Sequence, residues 1–234
     1  MTTTTDIYGG KLPRELPLYP VAAVARIIRM NKATLRTWVL GRSYQTREGR
    51  KEWPALVRIA DPKGERLSFA NLVEVHVLST LRDKRVRVER IRAATRFIRD
   101  KMGTPHPLAD LDTHTDSVDI YVEYLGRLVN ITNAQDAFRP IVELYLQRIE
   151  RDETGLASRL YPLTRDVPTA QTPILIDPSV RFGRPVLMST NIETSIVAER
   201  FFAGESTASL AKDFGIPKTD VEEAIRFESL SLAA

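Results

Sequence analysis

The sequence has no cysteine, only three histidines and no long apolar run. Without thiols, the chain cannot form disulfide bonds, thiolate zinc sites or a cysteine nucleophile. Its hydrophobic stretches are all shorter than the ~18 residues that a transmembrane helix needs. The first residues also lack the basic segment and apolar core of a secretory signal. We therefore expect a cytoplasmic protein that does not enter a membrane.

Motifs that hold phosphates or activate a serine are missing as well. There is no P-loop, no dinucleotide fingerprint and no nucleophile elbow. The segment "RFGRP" (181–185) has a single glycine, which favours a tight turn between two strands. We expect no catalytic residue, no enzyme activity and no cofactor.

The histidines offer one candidate metal site. Residues 106–116 bring together side chains that can bind metals: His106, Asp110, Asp112, His114 and Asp116. The two histidines are eight positions apart and lack the i, i+4 His–His spacing of a helical zinc motif. We interpret the segment as an exposed polar loop and predict no metal site. His76 lies in an apolar stretch, which is typical of a core or interface position.

Charge is distributed unevenly along the chain. Residues 1–101 contain 22 Lys and Arg against 10 Asp and Glu, whereas residues 102–234 contain 12 against 20. A basic segment binds a polyanion by releasing counterions, and an acidic segment repels the same partner. The two halves are therefore expected to have different partners.

Residues 21–38, "VAAVARIIRMNKATLRTW", predict two short helices joined by a tight turn, with Asn31 capping the second helix. This is the outline of a helix-turn-helix unit, whose second helix presents its first residues to base edges. An ordinary helical hairpin with solvated basic residues would show the same spacing. The residues expected to pack between the helices are Val21, Val24, Ala25, Ile28, Leu35 and Trp38.

A basic segment directly after this pair favours nucleic acid over the ordinary hairpin. Side chains near the start and on the outer face of the second helix would read or approach bases: Lys32, Thr34, Arg36 and Thr37. Side chains of the following loop-like segment would hold phosphates, which supplies affinity without sequence reading: Arg42, Tyr44, Arg47, Arg50 and Lys51.

The predicted fold class is α+β and mainly helical, with five parts. They are a flexible arm (1–16), a winged helix-turn-helix domain (17–104), a β hairpin plus a helix (105–152), a linker (153–173) and a compact helical domain with a short β hairpin (174–234). The wing would pair strands in 55–60 and 66–69 around the turn "DPKG", and the middle hairpin would span the β-rich residues 117–132. Further helices are predicted at 68–86, 87–103, 137–152, 194–203, 206–214 and 218–228.

The segment "LYPVAAVARIIRMNKATLRTWV" resembles the DNA-binding unit of MerR-like winged helix-turn-helix regulators, and "LSFANLVEVHVLSTLRDKRVRVERIRAA" resembles the helices that follow the wing there. In that family a tyrosine opens the first helix and a tryptophan lies in the second, which are the places of Tyr19 and Trp38. Beyond about residue 105 the chain departs from the family, because no long antiparallel coiled coil follows.

Residues 174–228 are similar to a small domain long catalogued as of unknown function and often regarded as a Vap-type antitoxin module. The matching pieces are Asp177-Pro178, Gly183-Arg184-Pro185, Thr190, Gly204-Glu205-Ser206 and "GIPKTDVEEAIRF". Together the two resemblances imply a DNA-binding antitoxin that acts as a homodimer. Such a protein represses its own operator and neutralises a PIN-like ribonuclease toxin.

Residues 174–234, called the tail below, also have the outline of a second helix-turn-helix, but carboxylates occupy its would-be recognition helix. Negative charges facing DNA would repel it, so we expect this unit to bind protein through Asp220, Glu222 and Glu223. Two alternatives remain open. One is a MerR-like transcription regulator without a toxin, and the other is a protein-interaction adaptor that does not bind DNA.

Overall fold

The computed structural model describes residues 10–47, 49–82, 86–112, 115–130, 133–163 and 172–229. This part of the chain contains nine α-helices and four two-stranded antiparallel sheets. The predicted α+β, mainly helical class is confirmed at that level. No helix in the described part is long and apolar enough to cross a bilayer.

The helix pair predicted from residues 21–38 is present as α1 (Val21–Ile27) and α2 (Lys32–Leu40). The Asn31 side chain caps α2, because its Oδ1 accepts hydrogen bonds from the amides of Ala33 (2.9 Å) and Thr34 (3.3 Å). The predicted packing residues are buried, apart from the half-buried Ile28. A short strand, β1 (Tyr19–Pro20), precedes the pair.

The predicted wing was placed wrongly. A β hairpin follows α2 directly, as β2 (Arg42–Thr46) and β3 (Gly49–Trp53), whereas residues 55–60 form no strand. The amides of Leu56 and Val57 both donate to the carbonyl of Trp38, at 2.6 and 3.3 Å. These residues therefore close the end of α2 instead of pairing with a strand. The "DPKG" turn does form, and the strand after it, β4 (Arg66–Leu67), pairs with β1.

Two long helices follow as predicted, α3 (Phe69–Arg82) and α4 (Val88–Met102). Ser68 opens α3, because its hydroxyl accepts a hydrogen bond from the amide of Asn71 at 3.2 Å. Gly103 ends α4 in the left-handed conformation (φ +67°). Nearly every described side chain of α3 is buried, so this helix is the centre of the core.

The β hairpin predicted at 117–132 is wrong. Residues 117–129 form a helix, α5 (Ser117–Val129), which packs against α4 and the next helix, α6 (Ala134–Leu146). Val118, Tyr121, Val122 and Leu125 are fully buried at helical spacing. Tertiary packing of this stripe outweighs the β propensity of its residues. Residues 131–132 lie outside the described part.

The segment predicted as a linker is partly structured. Strands β5 (Ile149–Arg151) and β6 (Ala157–Leu160) pair with each other, so the predicted helix 137–152 also ends earlier than expected. Leu160 exchanges two backbone hydrogen bonds of 2.9 Å with Ile176, which ties this sheet to the tail. Residues 164–171 of the predicted linker lie outside the described part.

The tail has the predicted order of elements. Strands β7 (Ile174–Leu175) and β8 (Val186–Leu187) form a short antiparallel pair around a 3₁₀ turn. Three helices complete the tail: α7 (Thr194–Phe202), α8 (Thr207–Phe214) and α9 (Lys218–Ser229).

The tail contacts the N-terminal part of the molecule, β1 to α4, which is called the head below. Gly183 has φ +75°, and a side chain at this position would collide with the hydroxyl of Tyr19. Arg26 of α1 forms a 3.7 Å ion pair with Glu228 of α9. The β7–β8 turn and α9 therefore lie directly against β1 and α1.

The prediction of a flexible arm at residues 1–16 is wrong for the last residues of that range. A 3₁₀ turn at Pro13–Glu15 packs on α3, and the buried Arg14 donates to Asp110 at 3.2 Å. Residues 1–9 lie outside the described part.

The sequence had suggested that His106 lies in an exposed loop, but the structure shows it buried. It is 8% exposed, with Nε2 2.8 Å from Glu15 Oε2 and Nδ1 3.1 Å from Glu74 Oε2. In the described part, no group of three or more His, Asp or Glu side chains has metal-binding geometry, and His114 lies outside that part. His106 instead links the arm, α3 and the loop after α4. His76 is buried and contacts the carbonyl of Tyr145, a core position as predicted.

The pKa of His106 predicts a loss of stability at alkaline pH. Burial alone would lower this pKa, but the hydrogen bonds and charges of Glu15 and Glu74 outweigh it and raise the pKa to about 9. The stabilisation is complete below the unfolded value of 6.5 and is lost as pH rises through about 9. We expect the free energy of unfolding to fall by about 2 kcal/mol between pH 6.5 and 9.5, measured by urea titration.

The matched variant for this experiment is His106→Gln, which should be less stable at pH 6.5 and should lose the alkaline decline. A decline that persists unchanged in His106→Gln would show that another group causes it.

The chain reversal between α2 and the hairpin predicts a large effect of Gly41→Ala. Gly41 has φ +74°, and a Cβ there would collide with the carbonyl oxygen of Trp53. We expect a loss of about 2–4 kcal/mol in thermal unfolding, since strain and a backbone clash add. Gly103→Ala is the matched control, because Gly103 has φ +67° with open space around it, and it should lose about 1 kcal/mol. Equal losses in the two variants would contradict a tight approach at Gly41.

Candidate nucleic-acid interface

A groove runs between the outer face of α2 and the β2–β3 hairpin. Its volume is about 670 Å³. Four of the nine predicted DNA-binding residues line it: Arg36, Thr37, Arg42 and Arg50. The hairpin stands here because residues 55–57 turn back under the end of α2 and leave β2 and β3 projecting outward.

The predicted base-reading residues lie on one side of α2. Lys32, Thr34 and Arg36 are exposed, and the half-buried Thr37 donates from its hydroxyl to the carbonyl of Ala33 at 3.0 Å. The opposite side of α2 is buried through Leu35, Trp38 and Val39. Helical periodicity thus separates the packing face from the exposed face, as the sequence had indicated.

Arg36 has a partner that sequence reasoning missed. The carboxylate of Glu65, 29 residues away, accepts hydrogen bonds from Arg36 Nε (3.2 Å to each oxygen) and from Nη2 (2.5 Å to Oε1). This hydrogen bond lowers the pKa of Glu65, and the charge of Lys32 acts in the same direction. The sequence predicted the turn that carries Glu65 but gave no signal of the helix face onto which the turn folds.

The hairpin presents two different faces, because directly opposed residues share a face. Arg42 lies opposite Trp53, and Tyr44 lies opposite Lys51. The Arg42 guanidinium is 5.3 Å from the centre of the Tyr44 ring and 6.0 Å from that of Trp53. Tyr44 and Trp53 also meet edge to face at 6.3 Å. This face is a cationic side chain held on two aromatic rings, a pattern that can contact a sugar-phosphate backbone.

The other face of the hairpin carries a short polar row. Arg50 donates to the hydroxyl of Ser43 at 3.2 Å and lies 3.9 Å from Glu52. Arg47 is exposed at the hairpin turn. The five residues predicted to hold phosphates therefore lie together on one projecting hairpin, which the sequence had described only as a loop.

The residues predicted to bind a partner in the tail are not equivalent. Glu222 is exposed and forms a 3.4 Å ion pair with Lys218, and Asp220 is half-buried. Glu223 is 5% exposed and accepts a hydrogen bond from Arg226, so its inclusion in a partner-binding surface is wrong. Glu223 is buried together with Ala224 and Phe227 on a helix that packs against α7 and α8.

Exposed apolar side chains are concentrated in the tail. Four of the six large hydrophobic residues that are exposed in the described part lie there: Phe182, Met188, Ile196 and Phe202. Ile196 and Phe202 are exposed on α7, and the exposed Ala203 follows directly after this helix. Large apolar side chains exposed in one region of a protein make that region a candidate protein-binding surface. Sequence reasoning missed this feature, because "SIVAERFF" reads as an ordinary amphipathic helix until its buried side is known.

Two family models match the chain. Residues 17–95 match a family described as "Putative DNA-binding HTH domain", and residues 174–227 match "Protein of unknown function (DUF433)". The first range contains α1, α2, the hairpin and α3 and ends within α4, and the second begins at β7 and ends in α9. The two matched regions therefore correspond to the head and to the tail.

Similar proteins come from Mycobacterium tuberculosis (strain ATCC 25618 / H37Rv). The chain is 27% identical over 230 residues to "Putative antitoxin VapB45", covering 90% of this chain and 93% of the relative. It is 26% identical over 226 residues to "Uncharacterized protein Rv2308", covering 92% and 91%. The X-ray structure of Rv2018 from Mycobacterium tuberculosis matches with a TM-score of 0.66 and 23% identity over 90% of this chain and 98% of that one. This last match shows that the two proteins share a fold.

Proposed function

We propose that the protein is a DNA-binding antitoxin, with a head that binds duplex DNA and a tail that binds a protein toxin. The observation that carries the proposal is the groove between α2 and the hairpin, in a region that matches a helix-turn-helix family. The name of the relative, "Putative antitoxin VapB45", supports the second half.

The head has the charge and shape that a duplex requires. Residues 31–53 contain six Lys and Arg against two Glu. The exposed face of α2 enters the major groove, where Lys32, Thr34, Arg36 and Thr37 approach the base edges. The projecting hairpin follows the flanking phosphates through Arg42, Tyr44, Arg47, Arg50 and Lys51. Phosphate contacts hold the register, and the helix supplies the sequence reading.

The tail has the opposite character. Its α8–α9 pair has the outline of a helix-turn-helix, but α9 carries Asp220 and Glu222 on its accessible side. A carboxylate near phosphates reduces binding, whereas exposed Phe and Ile side chains favour a protein surface. The toxin binds to the tail around α7 and the accessible acidic side chains of α9.

The full proposal includes autorepression by a homodimer and a PIN-like ribonuclease as the toxin, as the resemblance implies. A dimer places two α2 helices on one operator and doubles the number of phosphate contacts. Doubling these contacts steepens the dependence of binding on salt. A regulator without a toxin would share the DNA-binding half of this proposal, and an adaptor would share only the tail.

The DNA-binding half predicts the salt dependence of hairpin variants. Arg47→Ala and Lys51→Ala should each weaken binding to a duplex from the upstream region of the gene. Each should also lower the slope of log K against log salt by about 0.9 per binding site. Fluorescence anisotropy between 50 and 200 mM salt measures the slope. Lys212→Ala, an exposed lysine of the tail, is the matched control and should leave the slope unchanged. Failure of the full chain to bind any duplex at 50 mM salt would favour the adaptor.

The toxin-binding half predicts co-purification with the product of the adjacent gene. Phe202→Ser should weaken that complex at least about tenfold, since truncating an aromatic side chain that becomes buried at an interface costs this much. The matched control is Leu12→Ser, because Leu12 is 56% exposed and Phe202 is 55% exposed. Isothermal titration of the purified toxin measures the affinity. A toxin that binds both variants equally well would place its site elsewhere, and no complex at all would favour a regulator without a toxin.

A further inference from the structure

We infer that Glu65 is a gate on Arg36: its carboxylate holds the guanidinium in the free protein and releases it to a DNA sequence that offers an equivalent pair of acceptors. Glu65 then restrains the affinity of the head for a duplex that Arg36 reads. The inference rests on the DNA-binding function proposed above and adds to it a residue that regulates the base contact of Arg36.

The geometry of the pair resembles a base contact. Arg36 donates from Nε to both carboxylate oxygens at 3.2 Å and from Nη2 to Oε1 at 2.5 Å. An arginine that binds guanine also uses its fork of N–H groups on two neighbouring acceptors, O6 and N7. Glu65 therefore occupies the same donors that a guanine would use, and Arg36 cannot serve both partners.

The turn that carries Glu65 is built to hold its side chain over α2. Asp61 and Arg66 exchange backbone hydrogen bonds of 3.0 and 2.9 Å, and the Gly64 amide donates to Asp61 Oδ1 at 3.0 Å. Glu65 itself has φ +51°, a conformation that glycine or asparagine adopts more readily. A glutamate in this conformation costs backbone energy, and such positions are often ones where the side chain has a role.

The backbone of Glu65 has a separate task. Its carbonyl accepts a hydrogen bond from the amide of Val21 at 3.1 Å, at the first residue of α1. A change in the side chain alone leaves this contact in place. The carboxylate can therefore be removed without disturbing the packing of α1 on α2.

The ion pair is accessible enough to exchange. The side chains of Arg36 and Glu65 are 56% and 39% exposed, and exposed ion pairs are weak in water. Phosphates nearby would compete for Arg36, but its departure leaves the Glu65 carboxylate unpaired beside the negative duplex. A random sequence thus gains little from Arg36, whereas a guanine at the right position offers two acceptors. Because Arg36 leaves Glu65 only for such a guanine, the cost of breaking the ion pair falls mainly on the operator complex, and the carboxylate lowers affinity for the operator more than affinity for random DNA.

The test uses Glu65→Gln in the full-length protein, with a duplex from the upstream region and a scrambled duplex of the same composition. We expect binding to the upstream duplex to tighten about three- to tenfold at 50 mM salt, because Arg36 no longer has to break an ion pair to reach its guanine. Binding to the scrambled duplex should tighten less than about threefold, so the selectivity ratio rises.

Two controls separate a gate from a simple change in charge. Glu52→Gln makes the same change in charge on the hairpin, 3.9 Å from Arg50, and should shift both duplexes equally. In an Arg36→Ala background, Glu65→Gln should leave the selectivity ratio unchanged, because the gate acts through Arg36. Thermal unfolding of each variant shows that the fold is retained.

The inference is overturned if Glu65→Gln leaves the selectivity ratio at its wild-type value, or if it weakens binding to the upstream duplex while both proteins stay folded. The latter result would mean that Glu65 positions Arg36 for binding. These outcomes are distinct from failure of the proposed function, which is measured on the wild-type chain. A wild-type protein that binds no duplex would overturn both.

Discussion

The carbonyl oxygen of Trp38 fixes the shape of the candidate interface. It accepts hydrogen bonds from the amides of both Leu56 and Val57, which turn back under the end of α2. The chain between these points must leave and return within a short distance, and the left-handed Gly41 makes the reversal possible. The residues between these two points therefore project from the surface as the β2–β3 hairpin. The groove, the aromatic support of Arg42 and the exposed row of basic side chains all depend on this closure.

The head and tail are joined through the same part of the molecule. The hydroxyl of Tyr19 lies against Gly183, where only a glycine fits. Tyr19 lies on β1, and β1 pairs with β4 at the end of the turn that carries Glu65. The β7–β8 turn of the tail is therefore one short sheet away from the residue that holds Arg36.

The division of charge between the two halves has a structural counterpart. In the head, cationic side chains stand on a helix face and a hairpin, where a long polyanion can reach several of them at once. In the tail, arginines pair with carboxylates: Arg200 contacts Glu205 at 2.6 Å and Asp213 at 2.5 Å. These pairs neutralise much of the charge and leave apolar side chains as the distinctive exposed feature. The two surfaces thus differ in kind as well as in the sign of their charge.

Local sequence patterns were sufficient to predict those helices and helix ends that are determined by neighbouring residues. The cap at Asn31, the start of α3 at Ser68, the end of α4 at Gly103 and the three helices of the tail were all predicted, because capping and helical periodicity act over one or two turns. The exposed face of α2 follows from the same periodicity. The β-rich stretch at 117–129 shows the limit of this reasoning, since its burial against α4 and α6 makes it a helix.

The sequence by itself therefore determined the helix pair, the tail helices, the exposed side of α2 and the contrast in charge between the halves. Only the tertiary structure decided which strands form the hairpin, that His106 and Glu223 are buried, and that Glu65 reaches Arg36. The positions of His106 and Glu65 depend on residues far apart in the chain, 32 positions for Glu74 and His106 and 29 for Arg36 and Glu65. Such contacts form when the whole core packs, and no local propensity encodes them.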